Sequence, residues 1–449
     1  MRAAQLHSQR PWSRTKQPQA RPVAASGKET LLKFLIVLLC LPEGLSFFIG
    51  DFRLSLARLL IIPLTIDAIA QYLRRPSKVF VPSDAFAVAA GLWMMLAAII
   101  IQGPAAGLKS GGIMALEFSG PYFIFRTLLS PVDSSVRIIA FTSKLLLVIV
   151  AIAVLDPLTN KPFTYEFIKA ITGYTIPDYE WAKETLADTL YRKGVARAMG
   201  PFEHSILFGA FCAWVGTLAI CTFPSRFIGW STAAIAFVGI LASQARGPLV
   251  AYALSLGLTT FYYVCSRFSA RWKLLGALFS IGFVFLSLSS SSPLATIMNL
   301  SGIDPATRWN REAIWAAVVP LLMQQSPIFG LGMDVDWDWY SYGLYGPSVD
   351  SMWLRIAMTM GIPASFLVLF TMIGAYWKGS LDRSPYLSLE ERRLSVALGI
   401  ITVSSIFIGF TVHFWGTCWV FLGIFAGMRA SLVEINICRS RTTRVAVEK

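Results

Sequence analysis

Long apolar runs separated by short polar breaks dominate this chain, and each run has the length that crosses a hydrocarbon core, about 20 residues. They lie near 33–50, 54–70, 84–103, 111–129, 136–155, 203–222, 227–243, 247–264, 274–292, 351–375, 394–411 and 414–431. Hydrocarbon offers no partner to an open backbone N–H or C=O, so each run predicts a helix; barrel strands would be shorter and would alternate. The fold predicted is an all-α integral membrane protein with about twelve transmembrane helices and two large hydrophilic loops. This pattern divides the chain into a tail (1–32), N-terminal helices (33–155), a first hydrophilic loop (156–202), central helices (203–292), a second loop (293–350), C-terminal helices (351–433) and a final tail (434–449).

Composition agrees with the pattern. Hydrophobic residues make up 55% of 449 and charged residues 14%, too apolar a balance for a soluble protein of this length. The net charge of +14 reads as topology rather than as a nucleic-acid footprint. Arg2, Arg10, Arg14, Lys16, Arg21, Lys28 and Lys33 crowd the first tail. Arg74, Arg75, Lys78, Arg267, Arg271, Lys273, Lys378, Arg383, Arg392, Arg393, Arg439, Arg441 and Arg444 fall on the same side under this span order. Lys and Arg collect in the cytoplasm, which puts both termini there and the loops 156–202 and 293–350 on the outer face. The same charges suit anionic membrane lipids, and no nucleic-acid partner is called for. The first tail lacks apolar periodicity and is predicted to be disordered. Cys40, Cys212, Cys221, Cys265, Cys418 and Cys438 avoid both outer loops, so no disulfide framework is indicated, and their spacing suits no metal. The run Ser287, Ser289, Ser290, Ser291 and Ser292 reads as the easing of a helix end.

An Arg on the outer face opposes the topological bias and is therefore informative. Arg246, in the turn SQARGPLVAY, either snorkels to lipid phosphate or recognises an anion. In DPATRWNREAIWAAVVP, Arg308 and Arg311 are spaced i, i+3 on a predicted helix that starts near Asp304 and Pro305, so both forks would share a face. Arg binds phosphate oxygens bidentately and stays ionised, which suits a diphosphate and its charge as a leaving group. Arg355 is a fourth candidate; the alternative is a structural pair with Asp350. Arg58, Glu43 and Lys109 also fall near outer span halves, and a Glu43–Arg58 pair is expected.

The second loop also carries SPIFGLGMDVDWDWYSYGLYGPSVD. Asp334, Asp336 and Asp338 alternate there with Trp337, Trp339, Tyr340, Tyr342 and Tyr345, a mixture suited to stacking on sugar faces and accepting bonds from hydroxyls. An interfacial belt and plain solvation are the competing readings. The run lacks the Gly and later Glu of an EF-hand. Of the three histidines, His7 lies in the tail, while His204, beside Glu203, and His413 fall at outer span ends, where either could serve as general base or be a satisfied structural group.

RAMGPFEHSILFGAF, SQARGPLVAYALSLGL, RWNREAIWAAVVPLLMQQSPIFGLG and VDSMWLRIAMTMGIPA follow one another in the order seen in the O-antigen ligase and polymerase superfamily, which the chain resembles over about 197–364. The resemblance implies an inner-membrane glycosyltransferase of the GT-C type that uses undecaprenyl-diphosphate-linked glycans on the periplasmic face. It implies that Arg246, Arg308 and Arg311 bind the donor diphosphate. The ligases carry a functional His before the span that follows the long loop; this chain has Val349, Asp350 and Ser351 there. Asp350 at that place resembles the exopolysaccharide-polymerase branch and is the first candidate for a base, His204 the second. The activity expected is polymerisation of a secreted polysaccharide, needing neither metal nor cofactor, alongside a chain-length regulator and export machinery. The alternatives are ligation of a finished glycan to another acceptor and non-enzymatic flipping of a lipid-linked oligosaccharide.

Overall fold

The computed structural model describes residues 27–42, 45–49, 52–75, 79–129, 132–173, 190–289, 305–333, 335, 337–344, 346 and 348–448. Helix satisfies its own backbone, and the described chain is helical apart from its connections and two short hairpins. After α1 (Gly27–Leu39) comes a hairpin of β1 (Ser46–Ile49) and β2 (Phe52–Ser55), paired from Ser46 with Ser55 to Ile49 with Phe52. Then follow α2 (Leu56–Arg74), α3 (Pro82–Gln102), α4 (Pro104–Thr127) and α5 (Val132–Ala153). Short α6 (Leu155–Thr159), α7 (Phe163–Thr172) and the hairpin of β3 (Tyr191–Arg192) and β4 (Val195–Ala196) precede α8 (Ser205–Thr222), α9 (Arg226–Ser243), α10 (Arg246–Val264) and α11 (Arg271–Ser289). The order ends with α12 (Pro305–Gln325), α13 (Met352–Met360), α14 (Ile362–Gly374), α15 (Leu389–Ile408) and α16 (Gly416–Glu448).

Eight helical stretches among the described residues are long and apolar enough to cross a membrane: α2, α3, α5 run on into α6, α8, α9, α10, α11 and α16. The other expected spans fall on α1, α4, the pair α13 and α14, and α15. Two boundaries differ from the sequence reading. The expected span 33–50 stops as helix at Leu39, and residues 46–49 are a strand; Pro42, three residues on, cannot continue the helix. The expected span 351–375 is broken at Gly361, which has φ +85°, followed by Pro363 without an N–H. The carbonyls released by the break are re-satisfied: Leu331 N–H donates to Met358 O at 2.6 Å, Gly332 N–H to Thr359 O at 3.2 Å, and the Trp93 indole to Met360 O at 3.0 Å.

α8 is the centre of the bundle, with 94% of its membrane-length window buried, and α16 follows at 89%. Small residues let the helices close up, as packing inside lipid requires. A Cβ on Gly111 of α4 would lie 2.6 Å from Met94 O of α3, and Gly423 and Gly427 of α16 sit against the carbonyls of Phe118 and Tyr122 on α4.

The helix ends sort into two groups. At one end Arg126 meets Asp84 at 2.9 Å and also Glu434, Arg75 meets Glu434 at 3.0 Å, Arg271 meets Asp382, and Arg439 meets Glu391 at 2.9 Å. At the other end lie residues 190–204, the α9–α10 turn, α12 with 326–351, and the turn 409–415; bonds such as Ala198 N–H to Ala242 O (3.0 Å) and Trp315 to Phe410 O (3.4 Å) join them.

Candidate functional site

Arg246 is the first residue of α10, reached through Gln244 in the left-handed conformation (φ 51°). A cation there opposes the helix dipole, so helix stability does not explain it. Gly247 allows close approach: a Cβ on it would lie 2.5 Å from Val412 Cγ2, which seats the start of α10 on the turn 409–415. The same turn holds α13. Met352 N–H donates to Gly409 O at 2.8 Å and Val412 O at 3.0 Å. Ser351 Oγ donates to Gly409 O at 3.1 Å and caps α13 by accepting Leu354 N–H at 3.3 Å. Asp350 is the residue before this cap, and Ser348 Oγ donates to its Oδ1 at 3.2 Å. α12 reaches the turn through Trp315, one helical turn beyond Arg311.

Three elements distant in sequence thus bring Arg246, Arg311 and Asp350 to one place. Their charges act on one another. Burial pulls the Arg311 pKa below the ordinary arginine value, with Asp350 opposing and Arg246 adding to the effect. Burial raises the Asp350 carboxyl, with Arg311 and Ser348 restraining it. The Nε–H of Arg311 is buried and makes no hydrogen bond. A buried guanidinium donor beside a second Arg suits an anion carrying several oxygens.

Arg355 is not brought into a pair with Asp350; its Nη2 donates to Met333 O at 3.3 Å, and its charge acts on His413. Arg308 lies on α12, but its side chain is outside the described residues, as are Asp334, Asp336, Tyr345, Glu43 and His7. Arg58 pairs with Glu117, at 2.6 Å, where both line a recess between α1, α2 and α16; the expected Glu43–Arg58 pair falls outside the described residues. Lys109 lies near the start of α4.

The histidines flank an aromatic bridge. Trp415 donates its indole N–H to Glu203 Oε2 at 3.1 Å, and its ring centroid is 5.5 Å from that of His204 and 5.2 Å from that of His413. His204 Nδ1 accepts Ile206 N–H at 3.0 Å, capping α8. With Nδ1 occupied as an acceptor, the neutral ring carries its proton on Nε2 and presents a donor there, not a base. Burial, with Arg197 nearby, pushes the His204 pKa down to about 3. Burial, with Arg355, does the same to His413, also to about 3. A general base works best with a pKa near the working pH. Burial moves Asp350 the other way, above the ordinary carboxyl value.

The acidic and aromatic run is only partly open. Trp337 is buried in a second apolar cluster with Ile314, Val318, Leu344, Val349, Leu354 and Met358, so its ring is structural here rather than a stacking face. Trp339 packs on that cluster, while Tyr340, Tyr342 and Asp338 are exposed; Asp338 Oδ1 accepts Ser341 N–H at 3.2 Å.

Sequence reasoning missed Arg192, Arg197 and Asp156. Arg192 Nη1 donates to Gln244 O at 2.6 Å and buried Arg197 donates to Ser243 O at 3.2 Å, next to Arg246, where cations favour the C-terminal end of α9. Both stand in an expected outer loop, so the argument that singled out Arg246 applied to them as well. Asp156 is buried and accepts Met199 N–H (2.8 Å), Gly200 N–H (3.0 Å) and Phe163 N–H (2.9 Å), tying that loop down. A carboxylate at the end of an apolar run was the available signal.

The bundle is that of a multi-pass membrane protein. Residues 231–369 match the family described as O-antigen ligase, which supports the O-antigen ligase and polymerase superfamily and an enzymatic role. The match spans α10 to α13 and so includes Arg246, Arg311, Asp350 and Arg355; His204 lies before it. No curated protein matches the chain.

Proposed function

We propose that this protein is an inner-membrane polymerase of a secreted polysaccharide, with about twelve spans, a GT-C architecture and both termini in the cytoplasm. A glycan on undecaprenyl diphosphate is the donor, and a sugar hydroxyl of a second lipid-linked repeat attacks its anomeric carbon. The new glycosidic C–O bond forms as the bond to the diphosphate oxygen breaks, the hydroxyl proton passes to Asp350, and the diphosphate leaves with the negative charge. Arg246 and Arg311, with Arg308 and Arg355 as further candidates, hold that diphosphate. Tyr340 and Asp338, exposed on the same outer segment, are candidate acceptor contacts together with Trp339, Asp334 and Asp336. A chain-length regulator and export machinery would act on the product.

The observation that carries this reading is the convergence of Arg246 and Arg311 on the turn that also holds Asp350. Donor binding, leaving-group stabilisation and a base would then lie within one site. The test is polymer formation by variants that insert normally. Arg246→Ala and Arg311→Ala should abolish polymer and let single lipid-linked repeats accumulate. Wild-type polymer from both would remove the reading. Accumulation of finished polymer still on its lipid carrier would point to ligation instead.

A further inference from the structure

We propose that α7 is an interfacial helix that lies along the membrane surface, with Phe163, Phe167 and Ile171 set among the lipid acyl chains. These residues are spaced i, i+4, i+8 and form one stripe, which the protein leaves open: Phe167 is 59% exposed and Ile171 67%. A second face of the helix, Tyr165 and Ile168, is buried against the protein. A third carries Glu166 and Lys169, both exposed. A helix with one protein face, one apolar face and one charged face suits the boundary between lipid and water.

Its height follows from Asp156. The helix formed by α5 and α6 is long and apolar enough to cross a membrane, and it ends at Thr159. Asp156, inside its last turn, accepts the N–H of Phe163, the first residue of α7, so α7 begins at the level where the spanning helix ends. Asn160, left-handed at φ 55°, turns the chain back to make that bond. Leu158, 74% exposed beside it, carries the open apolar surface of α5 (Leu147, Val148 and Ile152) on towards α7. The stripe is therefore continuous with a surface that already faces lipid, which selects the leaflet over a protein partner. Lys169 is placed to reach lipid phosphates from the same level. The inference depends neither on which leaflet is involved nor on the reaction.

The test uses the full chain in nanodiscs of phosphatidylethanolamine and phosphatidylglycerol, with the native cysteines replaced by Ala and a nitroxide at Phe167→Cys, Ile171→Cys or Glu166→Cys. Oxygen partitions into lipid and a nickel chelate into water. The ratio of oxygen to nickel accessibility should be several-fold higher at 167 and 171 than at 166. Equal ratios would place the helix in water, and low accessibility to both probes would mean that protein covers the stripe; either overturns the proposal. As a second measurement, Phe167→Glu combined with Ile171→Glu should make tryptic cleavage after Lys169 several-fold faster in nanodiscs. Unchanged cleavage would also overturn it.

Discussion

Most of the ion-paired arginines gather at one end of the bundle, although Arg58 also pairs with Glu117. At the end carrying Arg126, guanidinium groups meet carboxylates: Asp84 and Glu434 hold Arg126, Asp382 holds Arg271 and Glu391 holds Arg439. At the other end, Arg192, Arg197 and Arg355 donate to main-chain carbonyls. Arg311 keeps a buried donor unused. The ion pairs of the first arrangement brace helix ends, although Arg429 there donates to Gly379 O at 2.8 Å and leaves its Nε without a hydrogen bond. The second sets Arg246 and Arg311 beside Asp350, which suits a site whose negative partner arrives with the substrate. Arginine at a membrane boundary therefore says little by itself; its neighbours decide its role.

The comparison is broken most sharply at Arg126. Arg126→Ala leaves Asp84 without its arginine and Glu434 with Arg75, and should cost about 3–5 kcal/mol, read as loss of monodisperse protein in detergent. If Arg126→Ala is as stable as wild type, the ion-paired end is not a brace. Asp350→Asn should keep the fold while lowering polymerisation about 10²–10⁴-fold, the usual worth of a positioned base. Its pH dependence sharpens the point. Because the Asp350 pKa is raised, wild-type activity should be full above that pKa and fall as pH drops through it, at a pH higher than an ordinary Asp near 3.9 would set. The residual activity of Asp350→Asn should lose that limb. Arg311→Ala should cost about 10²–10³-fold in rate with little loss of stability, and Arg311→Lys should recover only part, since an ammonium lacks the bidentate fork. The smallest effect is expected of His204→Ala, which removes the α8 cap at roughly 1 kcal/mol of stability and leaves polymer formation in place. Loss of polymer at unchanged stability would return His204 to the chemistry.

The apolar runs made the membrane helices legible, because span length and composition are set by the bilayer and need no knowledge of neighbours. The breaks were less legible. Pro363 hinted at a break, but the approach of the Ile328 carbonyl, which leaves no room for a Cβ at Gly361, was not legible in sequence. At the site, Arg246 stood out because it opposed the charge bias, yet its nearness to Arg311 and Asp350 comes through Val412 and Phe410, which carry no chemical signal in sequence. Trp337 looked like a sugar platform because composition cannot distinguish a buried indole from an open one. His204 looked like a base until its Nδ1 was seen to cap a helix.

The docking of Gly330–Gly332 on the end of α13 fixes the outer segment at its middle, between α12 and the stretch that leads to Asp350. Arg311 and Asp350 are then held by separate anchors, the seam at 330–332 on one side and Ser351 on Gly409 on the other. Asp338 and residues 340–343 lie exposed between those anchors. In evolutionary terms the charged machinery and the exposed strip are decoupled. Under the proposed function, substitutions in the strip would retune which sugar is accepted while the anchors keep Arg311 and Asp350 in register, so related chains making different polymers should differ first at those exposed positions.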